Sequence, residues 1–207
     1  MAEPEWLSWA RALQALAQTG LHYTKDRFDA ERYEQIRAIA AAMMAAGTDQ
    51  PAPRILELFR QDSGYATPKV AVRGAAFRDD RILLVRELSD DRWSLPGGWA
   101  DVNQSPADCI EREIQEESGF TARATKLAAV WDRARHGHVP PEPRYVYLMF
   151  FVCELTGGAG RPSIETSAVD FFAEDALPEL SLSRVTEKQI RRMFEHWRRP
   201  DLPADFD

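Results

Sequence analysis

Leu95–Phe120 reads LPGGWADVNQSPADCIEREIQEESGF, and its interpretation decides the fold. Four glutamates, Glu111, Glu113, Glu116 and Glu117, follow two adjacent glycines. Like charges three and four residues apart weaken a helix by about 0.2–0.5 kcal/mol per pair, so something outside the helix should hold them. The segment's ends nevertheless predict a helix. Ser105 and Asp108 have capping-box spacing, Pro106 takes the favoured first helical position, and Gly119 supplies the stop. At about 100° per residue, Ala107, Ile110 and Ile114 share one face, while Glu113, Glu116 and Glu117 group on an adjoining one. Carboxylates at the edge of a buried face are costly unless cations neutralise them, and oxygen-only donors suit Mg²⁺ or Mn²⁺. Arg112, four residues before Glu116, offsets only part of the charge. Taken alone, EREIQEE would be a solvated acidic face. The preceding LPGG alters that reading, because a glycine turn lets backbone carbonyls approach a ligand.

Working outward, the pattern on either side is that of strands. VAVRGAAF and RILLVREL, joined through RDDR, predict a hairpin from Val70. TKLAAVWD, the long apolar YVYLMFFVCEL ending at TGG, and SAVDFF supply further strands. LPEL predicts a short helical turn, and Thr186 with Gln189 opens a C-terminal helix through Ile190 and Phe194 toward Pro200. Strands with a few interspersed helices predict an α/β sandwich, and no internal repeat is visible.

Before Val70 the chain reads as helical. Trp6, Trp9, Leu13 and Leu16 form a stripe behind Pro4, with Gly20 as its stop. Tyr33, Ile36, Ala40 and Met43 form a second stripe ending at Gly47, and Ile55, Leu58 and Phe59 a short third one before Gly64. Three such helices are too small to stand alone, which predicts packing on the rest of the chain or a homodimer contact. The expected division is residues 1–64 as this helical region and 68–207 as the main domain.

At 207 residues with 44% hydrophobic content, the chain can build a core. Its net charge of -7 offers no basic field for a nucleic-acid backbone, so nucleic acid is not expected as a partner. Cys109 and Cys153 read as free thiols, the start MAEPEWLSWARALQ lacks an apolar leader, and no stretch is long enough to span a bilayer. These features predict a cytoplasmic protein with no membrane partner.

The 95–120 stretch resembles the Nudix box, in which glycine, glutamate, Arg-Glu, an aliphatic residue, Glu-Glu, glycine and an apolar residue recur at fixed spacing. Here the positions are Gly98, Gln104, Arg112, Glu113, Ile114, Glu116, Glu117, Gly119 and Phe120, and only Gln104 departs, where the family has glutamate. In the family that glutamate pairs with the box arginine, so the departure bears on Arg112's partner more than on the metal site. The resemblance implies a Nudix α/β/α sandwich with a mixed sheet. It also implies divalent cations, Mg²⁺ or Mn²⁺, held by Glu113, Glu116 and Glu117 with the backbone carbonyl of Gly97. The N-terminal helices and the tail FFAEDALPELSLSRVTEKQI look like the branch of Nudix hydrolases labelled ADP-ribose or CDP-choline pyrophosphatases.

For such a reaction on a small nucleotide substrate, the candidate proton carriers are Glu116 or Glu117 in the box and Glu165 in the loop SIETSAVDFF. Trp99 is a candidate for stacking on the substrate, with Trp131 and Phe172 as weaker ones. Arg73, Arg86 and Arg144 are candidate phosphate clamps. His136 and His138 in RARHGHVPPEPR suggest a mobile substrate loop rather than a zinc pair. Cys109 falls among carboxylates, where a thiol's pKa rises, so it is not expected to be a nucleophile. ADP-ribose, giving AMP and ribose 5-phosphate, is the first expectation, and CDP-choline, giving CMP and phosphocholine, the alternative. A Nudix domain that senses a nucleotide without hydrolysing it is the competing class; such a domain should have lost metal carboxylates. A nuclease would want a basic or aromatic track, which this chain lacks.

Overall fold

Strand β1 (Lys69–Arg78) is buried on both faces through its middle, and the fold is organised around it. In the computed structural model, which describes residues 4–207, it pairs in parallel with β5 (Val146–Gly158), from Lys69 opposite Val146 to Ala76 opposite Cys153. Its other neighbour is β2 (Arg81–Glu87), reached through Asp79 and Asp80. Both turn residues have positive φ, 50° and 57°, the conformation that matches a two-residue hairpin to strand twist. β2 also pairs antiparallel with β3 (Trp93–Ser94) and β6 (Thr166–Phe172). On the far side, β4 (Phe120–Asp132) is antiparallel to β5 and takes β7 (Asp205–Phe206) in parallel. The mixed sheet therefore runs β3-β2-β1-β5-β4-β7, with β6 on β2.

Alternation along β1 and β5 builds two cores. Ala71, Ala75, Leu148 and Phe150 face Ile190, Met193 and Phe194 of helix α5 (Glu187–Arg198). Val72, Ala76 and Phe151 face Ile110 and Ile114 of helix α4 (Pro106–Ser118). Each fully buried isoleucine contributes about 1.5–3 kcal/mol of burial. Gly74 permits the close approach of α4, since a Cβ there would lie 2.7 Å from Ile114 Cδ1. The layers are those of an α/β/α sandwich.

The boundaries of α4 agree with the sequence reading: Ser105 and Asp108 exchange capping bonds, and Gly119 closes the helix at φ 77°. At α5, Gln189 Oε1 accepts from the Thr186 N–H at 3.0 Å. LPEL differs from expectation, for it is not a helical turn. Trp93 N–H donates to the Glu179 carbonyl and Ser181 N–H to that of Trp93, which holds the segment extended along β3.

The helical unit runs to Pro68 and also includes Pro141–Tyr145; the sheet unit comprises Lys69–Pro140 and Val146–Asp207. In the helical unit, α1 (Glu5–Tyr23), α2 (Arg27–Ala46) and α3 (Ala52–Arg60) bury Leu7, Ala10, Ala40, Ala41, Met44, Ile55 and Phe59 together. The stripe expected on α1 does not all face this core. Trp6 and Leu13 pack on this core, but Trp9 and Leu16 are 57% and 64% exposed. Gly20 does not end α1 either: it lies inside the helix, where a Cβ would overlap the Tyr33 ring at 2.3 Å. Arg11 donates from Nε and Nη2 to the Glu142 carbonyl, fixing the 141–145 segment within this unit. Residues 1–3 of the start read as leader-free lie outside the described residues, among which no helix is long and apolar enough to cross a membrane.

Candidate active site

The glycine turn is laid along β1 by three backbone bonds: Val72 N to Gly98 O, Gly74 N to Pro96 O and Ala100 N to Val70 O, each 2.9 Å. Gly97 adopts φ 145°, and a Cβ there would stand 2.1 Å from the Val72 carbonyl, so no other residue fits. Its N–H donates to Glu117 Oε2 at 2.9 Å. Glu117 is almost wholly buried, and burial pushes its carboxyl up to about 7 against the opposing pull of the Gly97 N–H and Arg73. Thr166 Oγ1 donates to the Glu117 carbonyl at 2.7 Å, tying the end of α4 to β6.

Arg112 is the hub of the outer half of the site. It donates to Glu116 Oε2 at 2.6 Å, to Asp101 Oδ2 at 2.7 Å and to Glu113 Oε1 at 3.0 Å. Its Nε reaches Gln104 Oε1 at 3.2 Å. Glutamine thus keeps the hydrogen bond to the arginine, while Asp101 supplies a full negative charge beside it. Glu113 lies against the turn, where a Cβ on Gly98 would come within 2.9 Å of its Oε2, and burial raises its pKa. Glu111 leaves the cluster: it accepts from the Ala124 N–H at 2.9 Å, beside an irregularity in the β4-β5 register. Three of the four crowded glutamates therefore belong to the site, and the fourth supports the sheet.

A model of the NUDIX domain matches residues 67–195. The chain belongs to the Nudix hydrolase family. A second model, described as a UDP-X-like, N-terminal oligomerisation domain, matches residues 4–59. Among relatives, YjhB of Bacillus subtilis (strain 168), provisionally named an ADP-ribose pyrophosphatase, is 43% identical over 205 residues, covering 99% of this chain and 98% of its own. A crystal structure of an ADP-ribose pyrophosphatase from Streptococcus suis 89-1591 is 40% identical with a TM-score of 0.63, covering 68% of this chain and all of that one. A crystal structure of a UDP-X diphosphatase is 34% identical with a TM-score of 0.63 and covers both chains completely.

Around the Nudix box, the other candidates fall in different places. Glu165 is exposed on the loop before β6, its carbonyl accepts from Leu88 N–H at 2.9 Å, and its charge acts on both Glu113 and Glu87. Trp99 is 44% exposed directly after the glycine turn. Arg73 is buried at the floor of the site, where burial and Arg184 lower its pKa to about 10 while Glu117 draws it back up. Arg86 is held in an ion pair with Asp91 at 2.7 Å and Arg144 in one with Glu142 at 2.8 Å. Trp131 packs in the core against Phe150 and His136, and Phe172 against Trp93. The two histidines take separate partners, His136 with Asp207 and His138 with Leu182 and Gln189. Both cysteines are free and buried, and burial pushes the Cys153 thiol up to about 12.

Two residues that the sequence did not single out stand behind the box. Glu87 ends β2 with only 1% exposure and is paired with Arg184 at 2.9 Å. A charged residue closing the apolar run RILLVRE was the one available signal for it. The donors of the box are all oxygens, which suits a hard divalent cation. Among the described residues no three acidic, histidine or cysteine side chains converge as a metal cluster, and Arg112 engages both Glu113 and Glu116.

Proposed function

We propose that this Nudix hydrolase is a divalent-cation-dependent pyrophosphohydrolase of nucleoside diphosphates linked to a second group, with ADP-ribose as substrate and AMP and ribose 5-phosphate as products. The observation that carries this reading is the set Glu113, Glu116 and Glu117 on α4, with Glu117 anchored to the Gly97 turn. These three would hold Mg²⁺ or Mn²⁺, joined by the Gly97 carbonyl, with Arg112 released from Glu113 and Glu116. A bound cation neutralises phosphoryl oxygens and lowers the pKa of a water molecule. Glu165 is the group we assign to take a proton from the attacking water, since it is exposed, on a loop, and electrostatically in reach of Glu113. Glu116 or Glu117 shares in that transfer. Arg73 supports the buried carboxylate from below, and Trp99 offers an aromatic face for base or ribose. Arg86, if released from Asp91, remains a candidate phosphate contact.

ADP-ribose is favoured because relatives bearing that name reach 43% and 40% identity. A UDP-linked substrate is the second reading, favoured by the full-length likeness to a UDP-X diphosphatase and by the UDP-X-like N-terminal match. Product analysis with ADP-ribose, UDP-glucose and CDP-choline, each with Mg²⁺, Mn²⁺ or chelator, tests the reaction and ranks the substrates. Metal-dependent release of a nucleoside monophosphate, abolished by Glu116→Gln and Glu117→Gln, is expected. Tight binding without turnover would place the protein among nucleotide sensors instead.

We also assign the helical unit to a homodimer, through Trp9, Leu16 and Tyr23. These are spaced at sevens on α1, are 57%, 64% and 66% exposed, and lie in the segment matching an oligomerisation domain.

A further inference from the structure

Behind the box lies a buried charge network that the box residues alone do not explain. Glu87 is fully enclosed at the end of β2; its Oε2 meets Arg184 Nη2 at 2.9 Å, and its Oε1 is buried with no hydrogen-bond partner. An unsatisfied buried carboxylate oxygen costs stability, so packing alone does not account for a glutamate at this place. Arg184 is joined in turn to Arg73, whose Nε donates to the Arg184 carbonyl at 3.4 Å. Arg73 Nη1 donates to the Val72 carbonyl at 3.1 Å, the same oxygen that crowds Gly97, and lies 3.0 Å from where a Gly97 Cβ would be. The next bond in the chain is Gly97 N–H to Glu117. On its other side, β2 reaches the Glu165 loop through Leu88 N–H to the Glu165 carbonyl and the pairing of Glu87 with Thr166.

The geometry points to Glu87 as a positioning residue of the hydrolytic site: with Arg184 it fixes Arg73 against the Gly97 turn, and so sets the placement of Glu117. Glu87 lies outside the box and touches none of the reacting groups. Its negative charge is paired with Arg184 and acts on Arg73 as well, offsetting the repulsion between these two guanidinium groups, and β2 ties the same residue to the loop carrying Glu165. Outer partners that orient ligating groups typically alter metal affinity or activity by about 10–100-fold when removed. The assignment rests on the pyrophosphohydrolase reading, so its test includes a readout that needs no turnover.

The experiment compares wild type with Glu87→Gln, Glu87→Asp, Arg184→Gln and the Glu87→Gln/Arg184→Gln double variant. Mn²⁺ binding is followed by electron paramagnetic resonance without substrate, steady-state kinetics are measured on the best diphosphate, and folding is checked by near-UV circular dichroism. Folded Glu87→Gln should bind Mn²⁺ about 10–100-fold more weakly, or show kcat reduced by that factor with KM within about threefold. Glu87→Asp should recover part of the loss. The double variant should fall no further than the worse single one, because both act through Arg73. Wild-type Mn²⁺ affinity and kcat in folded Glu87→Gln, or losses that multiply in the double variant, overturn the proposal. If Glu87→Gln does not fold, the double variant, which removes both charges of the pair, supplies the same comparison. Absence of turnover in the wild type would fail the pyrophosphohydrolase reading alone, since the Mn²⁺ comparison still decides Glu87.

Discussion

His138 provides a quantitative test of how the sheet unit is held together. It is buried, with Nδ1 donating to the Leu182 carbonyl at 3.2 Å and Nε2 facing the Gln189 amide nitrogen at 3.1 Å. Those partners demand a neutral ring, with its proton on Nδ1 and its lone pair on Nε2. Burial, with Arg133 adding to it, pushes the pKa down from 6.5 to about 3. The unfolded chain therefore takes up a proton as pH falls through 6.5, while the folded chain does not until about pH 3. Stability is complete above 6.5 and declines below it by about 1.4 kcal/mol per pH unit. Between pH 7 and pH 5 the loss is about 2 kcal/mol, or about 4–8 °C in Tm for a chain of this length. His138→Gln removes the proton site along with the packed ring, costing about 1–3 kcal/mol at pH 7 from unmade hydrogen bonds. Its deficit relative to wild type should shrink by about 2 kcal/mol on going to pH 5. Urea unfolding of both proteins at pH 7, 6 and 5 measures the difference directly. A gap that stays constant across the three pH values would refute the reasoning.

The remaining predictions concern the site and the assembly. Gly97→Ala forces a Cβ into the Val72 carbonyl at positive φ, so the turn must move; turnover should fall about 100-fold or more, measured beside an unfolding curve. An active variant with wild-type kcat would show that the turn does not place Glu117. Gln104→Glu adds a charge where Arg112 already meets Asp101, Glu113 and Glu116, and Arg112 is partly exposed, so stability should change by less than about 1 kcal/mol with little effect on kcat. A large gain in rate would mean that the glutamine limits the chemistry. Trp9→Ser combined with Leu16→Ser should yield monomers by light scattering while α1 remains folded, because neither side chain supports the helical core.

Much of the site was legible because its signals are local. Capping, the proline start and the glycine stop of α4 depend only on neighbouring residues, so Ser105–Gly119 could be read before any tertiary contact was known. The hairpin through Asp79 and Asp80 was likewise encoded in a short stretch. The stripe on α1 did not reveal which of its members face the core, because a tryptophan and a leucine at helical spacing look the same whether they are buried or exposed. Only the folded unit shows that Leu7 and the small residues Ala10 and Ala17 are the buried apolar ones on α1.

Charge by itself also leaves the partner undetermined. The sequence alone predicted a helix crowded with carboxylates after a glycine turn, in a stretch that resembles the family's box, and the helix lies where it was expected. Tertiary structure decided which carboxylates stay together: Glu111 turns to the Ala124 N–H of a distant strand, while Glu117 is drawn inward to Gly97. It also decided that Gln104 is offset by Asp101, and that Glu87 and Arg184, 97 positions apart, meet behind the site. The physical reason is that hydrogen bonds and ion pairs act over a few ångströms of space, whatever the separation along the chain.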